Sequence, residues 1–185
     1  MRQQCKRSMK VGIVQFDYHA AFREGGRFAE IVAARLQADG IKCFAPPIQI
    51  ARTQQEREHM TMFETDIVFD WLQQGLEVKS SSRIFGDVVD EYPFDTLFVD
   101  TVSGFEAKVV KPVAYVFVSQ KGGGMLCLSP KTKPDWKMID AFDSKRQIND
   151  CFYSVDKNRL QTYAALVKWL AQKQGKGMHG DTSTN

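Results

Sequence analysis

Between Thr65 and Arg83 the chain reads TDIVFDWLQQGLEVKSSSR, two short strand-like runs joined by a polar turn, and this stretch restricts the fold more than any other. Side chains alternate between faces along a strand, so Glu77 and Lys79 share one face while Leu76 and Val78 share the other. The expectation is one wet, charged face over one apolar face. Asp66 opens the preceding strand, and ten residues separate the two carboxylates, enough for Ile67 to Trp71, a turn through Gln73, Gln74 and Gly75, and a return. The two acids can therefore meet side by side. Paired carboxylates bind a hard divalent cation through oxygen, and Lys79 supplies a positive charge beside them. An exposed edge hairpin with a surface ion pair would read much the same.

The surrounding chain has an α/β pattern. Val11 to Phe16 has strand length, and Asp17 to Glu24 leads through Gly25 and Gly26 to a helix over Arg27 to Asp39 that stops at Gly40. Phe28, Ile31, Val32 and Leu36 form its apolar stripe, with Ala29, Ala33 and Ala34 as a small-residue surface around it. Ile41 to Phe44 is a strand halted by Pro46 and Pro47. Ile50 to Met62 is polar and reads as a solvated connector. Thr96 to Val102 is a strand, and Val113 to Gln120 and Met125 to Ser129 form a β-hairpin about Gly122-Gly123-Gly124. Lys145 and Arg146 fall in a helix-to-strand connection before Cys151 to Val155. The last helix, Arg159 to Gln174, is amphipathic and should dock on the sheet. Residues 1–174 are expected to form one domain and 175–185 a disordered tail.

At 185 residues and 43% hydrophobic content, one sizeable core suffices, and a net charge of +3 permits a polyanionic partner without demanding one. Four scattered cysteines and three dispersed histidines suggest free thiols and no zinc site. With no apolar run of membrane-spanning length and no signal-peptide core, a soluble, cytoplasmic protein with no membrane partner is expected.

Asp66, the spacer, and Glu77-Val78-Lys79 on the next strand resemble the signature of the PD-(D/E)XK nuclease superfamily, with Thr65 in place of the usual proline. The segment GRFAEIVAARLQADGIKCF is similar to the helix-Gly-strand unit that many members carry just upstream of the first acid. The resemblance covers roughly residues 25–129. It implies a restriction-endonuclease-like core, a central mixed β-sheet flanked by helices, and a Mg²⁺- or Mn²⁺-dependent DNA nuclease in which Asp66, Glu77 and the Val78 carbonyl hold the metal. Lys79 would then orient the attacking water or stabilise charge on the phosphate. Glu30 stands where the family often places a further metal-linked carboxylate, although it could equally face water. The superfamily includes restriction enzymes, Holliday-junction resolvases, exonucleases and repair nucleases. A homodimer making paired cuts is compatible with it.

Lys131, Lys133, Lys145 and Arg146, near Trp136, suit a DNA-contacting edge that tracks phosphates, and ordinary lysine-rich loops look the same. The glycine triplet lacks the GK[ST] ending of a phosphate-binding loop, and neither GxSxG nor HExxH is present. A non-cleaving DNA-binding module of the same fold and a small-ligand or flavin-binding α/β protein are the competing functions. Asp95 with Glu106-Ala107-Lys108 repeats the acid spacing of the first set, but in a context that reads as turn or short helix.

Overall fold

A computed structural model of the chain describes residues 18–48, 53, 55, 65–144 and 146–177, the side chains of 18–22 excepted. The expected strand at Val11 to Phe16, nearly all of the connector over 50–62, and the tail beyond 177 lie outside the described residues.

Helix α1, Tyr18–Ala38, begins well before Arg27 and runs straight through Gly25 and Gly26. Each glycine costs about 1 kcal/mol relative to alanine in a helix, which burial further along outweighs. The buried stripe is Ala29, Val32, Ala33 and Leu36, with Phe28 packed at its edge, whereas Ile31 is exposed. The small residues thus lie at the centre of the packed face, which lets the helix approach the sheet closely. Gly40 ends the helix with φ +82°, a left-handed conformation that glycine adopts without steric cost.

A mixed sheet carries the core. It is built from β1 (Leu76–Ser81), β3 (Ala114–Ser119), β4 (Met125–Leu128) and β7 (Gln161–Thr162), in that order across the sheet. β1 and β3 are parallel, and β3–β4 and β4–β7 are antiparallel, the former being the hairpin expected about the glycine triplet. Beyond the outer edge of β1 the chain adds single antiparallel bridges, Ile67 to Leu76 and Phe44 to Val68. The expected strands around Asp66 and Ile41 to Phe44 are therefore reduced to bridge-length contacts. Gly75 permits the tight return, because a Cβ there would sit 2.2 Å from the Ile67 carbonyl oxygen.

A second sheet, ordered β2-β6-β5, packs across from the first: β2 is Thr96–Thr101, β5 Lys137–Asp143 and β6 Ile148–Asp156. Both pairings are antiparallel. Lys145 and Arg146 were expected in a helix-to-strand connection, but β5 and β6 form a hairpin around this position. Between β2 and β3 lies a six-residue helix, α2 (Val102–Ala107), and the closing helix α3 is Tyr163–Gly177. α3 starts later than expected, since 157–159 form a 3₁₀ turn, and it continues into the segment read as tail.

The two faces of the mixed sheet differ. Val116, Val118, Met125 and Cys127 pack against Val32 and Leu36 of α1 and Tyr163, Leu166 and Leu170 of α3. On the opposite face Tyr115, Phe117, Leu126 and Leu128 pack against Leu97, Val99, Phe105, Trp136, Tyr153 and Val155. The order is helices, mixed sheet, second sheet. Among the described residues Cys43 and Cys127 are free, but Cys151 is disulfide-bonded, which corrects the expectation of free thiols throughout. No helix among the described residues is long and apolar enough to cross a membrane.

Candidate active site

Glu77 and Lys79 are in register with Tyr115 and Phe117 of β3, so their side chains leave β1 on the face covered by the second sheet. That face is enclosed rather than wet, which corrects the expected exposure: the side chains of Glu77, Lys108 and Asp100 are only 12%, 17% and 10% exposed, and that of Lys79 33%. Lys79 Nζ lies 2.9 Å from Glu77 Oε1 and 3.3 Å from Asp100 Oδ1. Lys108 Nζ lies 3.0 Å from Asp100 Oδ2 and 3.5 Å from Glu77 Oε1.

Asp100 reaches this point through an irregularity in β2. Leu97 and Val99 are both buried against the aromatic cluster, and the register with β6 shifts between Phe98 and Asp100. The bulge turns Asp100 to the inner side beside Tyr153, the kind of re-aiming that bulges produce. The Thr101 N–H donates to Asp100 Oδ1 at 3.0 Å and the Tyr115 hydroxyl to Oδ2 at 3.3 Å. Thr101 also caps α2, its Oγ1 accepting from the Gly104 N–H at 3.0 Å. One short helix later the chain delivers Lys108 to the same carboxylate.

Asp66 sits at the open edge of β1. The main-chain groups of Ser81 face β3, its carbonyl accepting from the Gln120 N–H, while those of Leu76 face away and bond with Ile67. Residues of a parallel strand send N–H and C=O to the same side, so Val78 also presents both groups to the open edge. Its N–H donates to Asp66 Oδ2 at 2.8 Å, and its carbonyl lies on the edge that carries Asp66.

The charges are mutually dependent. Burial first, and the charge of Glu77 second, push Asp66 up from 3.8 to about 6, against the opposing pull of the Val78 amide, Lys79 and Lys108. Burial alone would depress the Lys79 ammonium, but Glu77 and Asp100 outweigh it and hold Lys79 above its ordinary value. Burial would likewise raise Asp100, yet the two lysines hold it below the usual carboxylate range. Burial and Asp100 raise the Tyr115 phenol, which keeps it a neutral donor.

Of the residues singled out in the sequence, Asp66 bonds to the Val78 N–H and Glu77 to Lys79, all within or beside β1. Glu30 is exposed on α1, which packs on the opposite face of the sheet, and no hydrogen bond or ion pair joins it to the cluster. The basic edge does not form as one free strip. Lys131 is exposed, but Lys133 is bound to Glu106 at 3.1 Å and Arg146 to Asp143 and Asp150 at 2.7 and 2.9 Å. Lys145 lies outside the described residues. Asp100, Lys108 and Tyr115 were not expected in this site. The one available signal was the second acid-x-lysine triplet, which carries Lys108.

Two carboxylates, Asp66 and Glu77, and the Val78 carbonyl could offer oxygen donors of the type hard divalent cations take. Among the described residues no group of three or more histidine, cysteine or acidic side chains is placed to hold a metal ion. No family model, curated protein or solved structure matches this chain.

Proposed function

We propose that the chain is a metal-dependent nuclease that hydrolyses phosphodiester bonds in DNA through Asp66, Glu77 and Lys79. The observation that carries this reading is the Asp66 carboxylate held by the Val78 N–H at 2.8 Å at the edge of β1, with the Lys79 ammonium 2.9 Å from Glu77 on the same strand. Helix α1 ending at Gly40 ahead of Asp66 and the mixed sheet with helices on one face fit a restriction-endonuclease-like core, although Ile41 to Phe44 contributes a single bridge and not the strand of the helix-Gly-strand unit. The second sheet on the other face is a departure from flanking helices.

Asp66 and Glu77, with the Val78 carbonyl, would hold Mg²⁺ or Mn²⁺. The bound ion would polarise a phosphodiester and lower the pKa of a water. Lys79 keeps its positive charge through Glu77 and Asp100, and its partial exposure lets it meet a phosphate oxygen from solvent. A fixed ammonium aimed at developing negative charge needs no reorganisation during reaction, which is where such a group contributes most. Enclosure by the second sheet strengthens that contribution by excluding water from the carboxylate side.

The experiment is incubation with supercoiled plasmid, linear duplex, single strand and a four-way junction in Mg²⁺, Mn²⁺ or EDTA. Metal-dependent cleavage of at least one substrate is expected. Full activity in EDTA, or no cleavage of any substrate with either metal, contradicts the reading.

A further inference from the structure

Glu77 Oε1 is shared by two ammonium groups, Lys79 at 2.9 Å and Lys108 at 3.5 Å, and each of these lysines already touches a second carboxylate oxygen on Asp100. The four side chains close a ring. A largely buried ammonium leaves one carboxylate only where another receives it, because an unpaired buried charge is heavily penalised. Asp100 is held ready to receive one, since the Thr101 N–H fixes one of its oxygens and the fully buried Tyr115 the other. Lys108 is the less exposed of the two lysines, and it lies nearer to Asp100 than to Glu77.

We propose that Lys108 is a resident competitor for Glu77, standing in for a divalent cation, and that Asp100 is the carboxylate that takes up Lys108 and Lys79 when Glu77 turns to the metal. This rests on the metal-site reading above. Lys108 and Asp100 act as positioning residues that set cation affinity, and neither is a ligand. Removing the Lys108 charge frees Glu77, whereas neutralising Asp100 sends both ammonium groups back to it.

The test is titration of Mn²⁺ alone, at pH 8, into the wild-type chain, Lys108→Met, Asp100→Asn and the double variant, with free Mn²⁺ read by electron paramagnetic resonance. Lys108→Met keeps the aliphatic stem and Asp100→Asn keeps the shape, and circular dichroism melts verify that each variant is folded. Lys108→Met should bind about fivefold tighter or more, and Asp100→Asn about fivefold weaker or more, in line with the coupling of close charge pairs. The double variant should bind more tightly than Asp100→Asn, because its deficit runs through Lys108. Affinity in Lys108→Met that is unchanged or weaker overturns the proposal while leaving the metal site standing. Absence of a saturable Mn²⁺ site in the wild-type chain overturns the metal reading and this proposal with it.

Discussion

The chain carries two copies of one pattern, an acid followed after ten residues by acid-x-lysine, and the fold treats them in opposite ways. In the first, Glu77 and Lys79 lie two apart on a strand, share a face and form a 2.9 Å ion pair beside Asp66. In the second, Glu106 and Ala107 end helix α2, where successive residues rotate by about 100°, and Lys108 follows in extended backbone. Glu106 therefore turns to Lys133 and Tyr153, Asp95 is exposed, and Lys108 alone turns inward to join the first set. Spacing is thus no guide without the period of the element that carries it.

The largest effect should separate the two glutamates. Glu77→Gln should reduce Mn²⁺-dependent plasmid nicking by about a thousandfold, whereas Glu106→Gln should change it by less than about twofold. Single-turnover rates of the folded variants measure both, and equal losses would erase the distinction between the two sets. The lysines should separate next. Lys79→Ala should cost on the order of 3 kcal/mol of transition-state stabilisation, about a hundredfold in rate, with the fold retained. Lys133→Ala, which removes the partner of Glu106, should leave the rate nearly unchanged, and a comparable loss there would move substrate contact to the second set.

A smaller effect of opposite sign should appear in stability. Asp66 has a folded value of about 6 against 3.8, so its contribution to stability is present below about 4 and is lost as pH rises through 6. Asp66→Asn, whose amide oxygen can still accept from Val78, should thus stabilise the chain at pH 8 by about 2 kcal/mol and by little at pH 4. Glu106 is held below its ordinary value by the Tyr153 hydroxyl and Lys133, so its contribution is present at neutral pH and lost as pH falls through that lowered value. It is half exposed, so Glu106→Gln should cost less than about 1 kcal/mol at pH 8 after solvent screening. Urea denaturation at pH 4 and pH 8 reads both, and destabilisation by Asp66→Asn at pH 8 would contradict the raised Asp66 value.

The local sequence made part of this arrangement legible. Strand alternation in LEVKS put Glu77 and Lys79 on one face, and Gly40 and the glycine triplet marked a helix end and a hairpin. The enclosure of that face was not legible, because it comes from β2, β5 and β6, which reach it only through tertiary packing. Asp100 was hidden for a sharper reason: strict alternation from Leu97 places it outward with Phe98, and only the bulge in β2 turns it inward. Lys108 was visible as part of a rival triplet, but its destination depends on where a six-residue helix ends. The basic edge does not assemble because Asp143 and Asp150 neutralise Arg146 and the sequence-distant Glu106 neutralises Lys133.

Mn²⁺ binding to three proteins, wild type, Glu77→Gln and Glu106→Gln, decides whether the first acid pair and not the second forms a cation site. One saturable site is expected in the wild-type chain, the same site with unchanged affinity in Glu106→Gln, and its loss in Glu77→Gln. Equal binding by all three, or loss in Glu106→Gln alone, would contradict a cation site at the first pair.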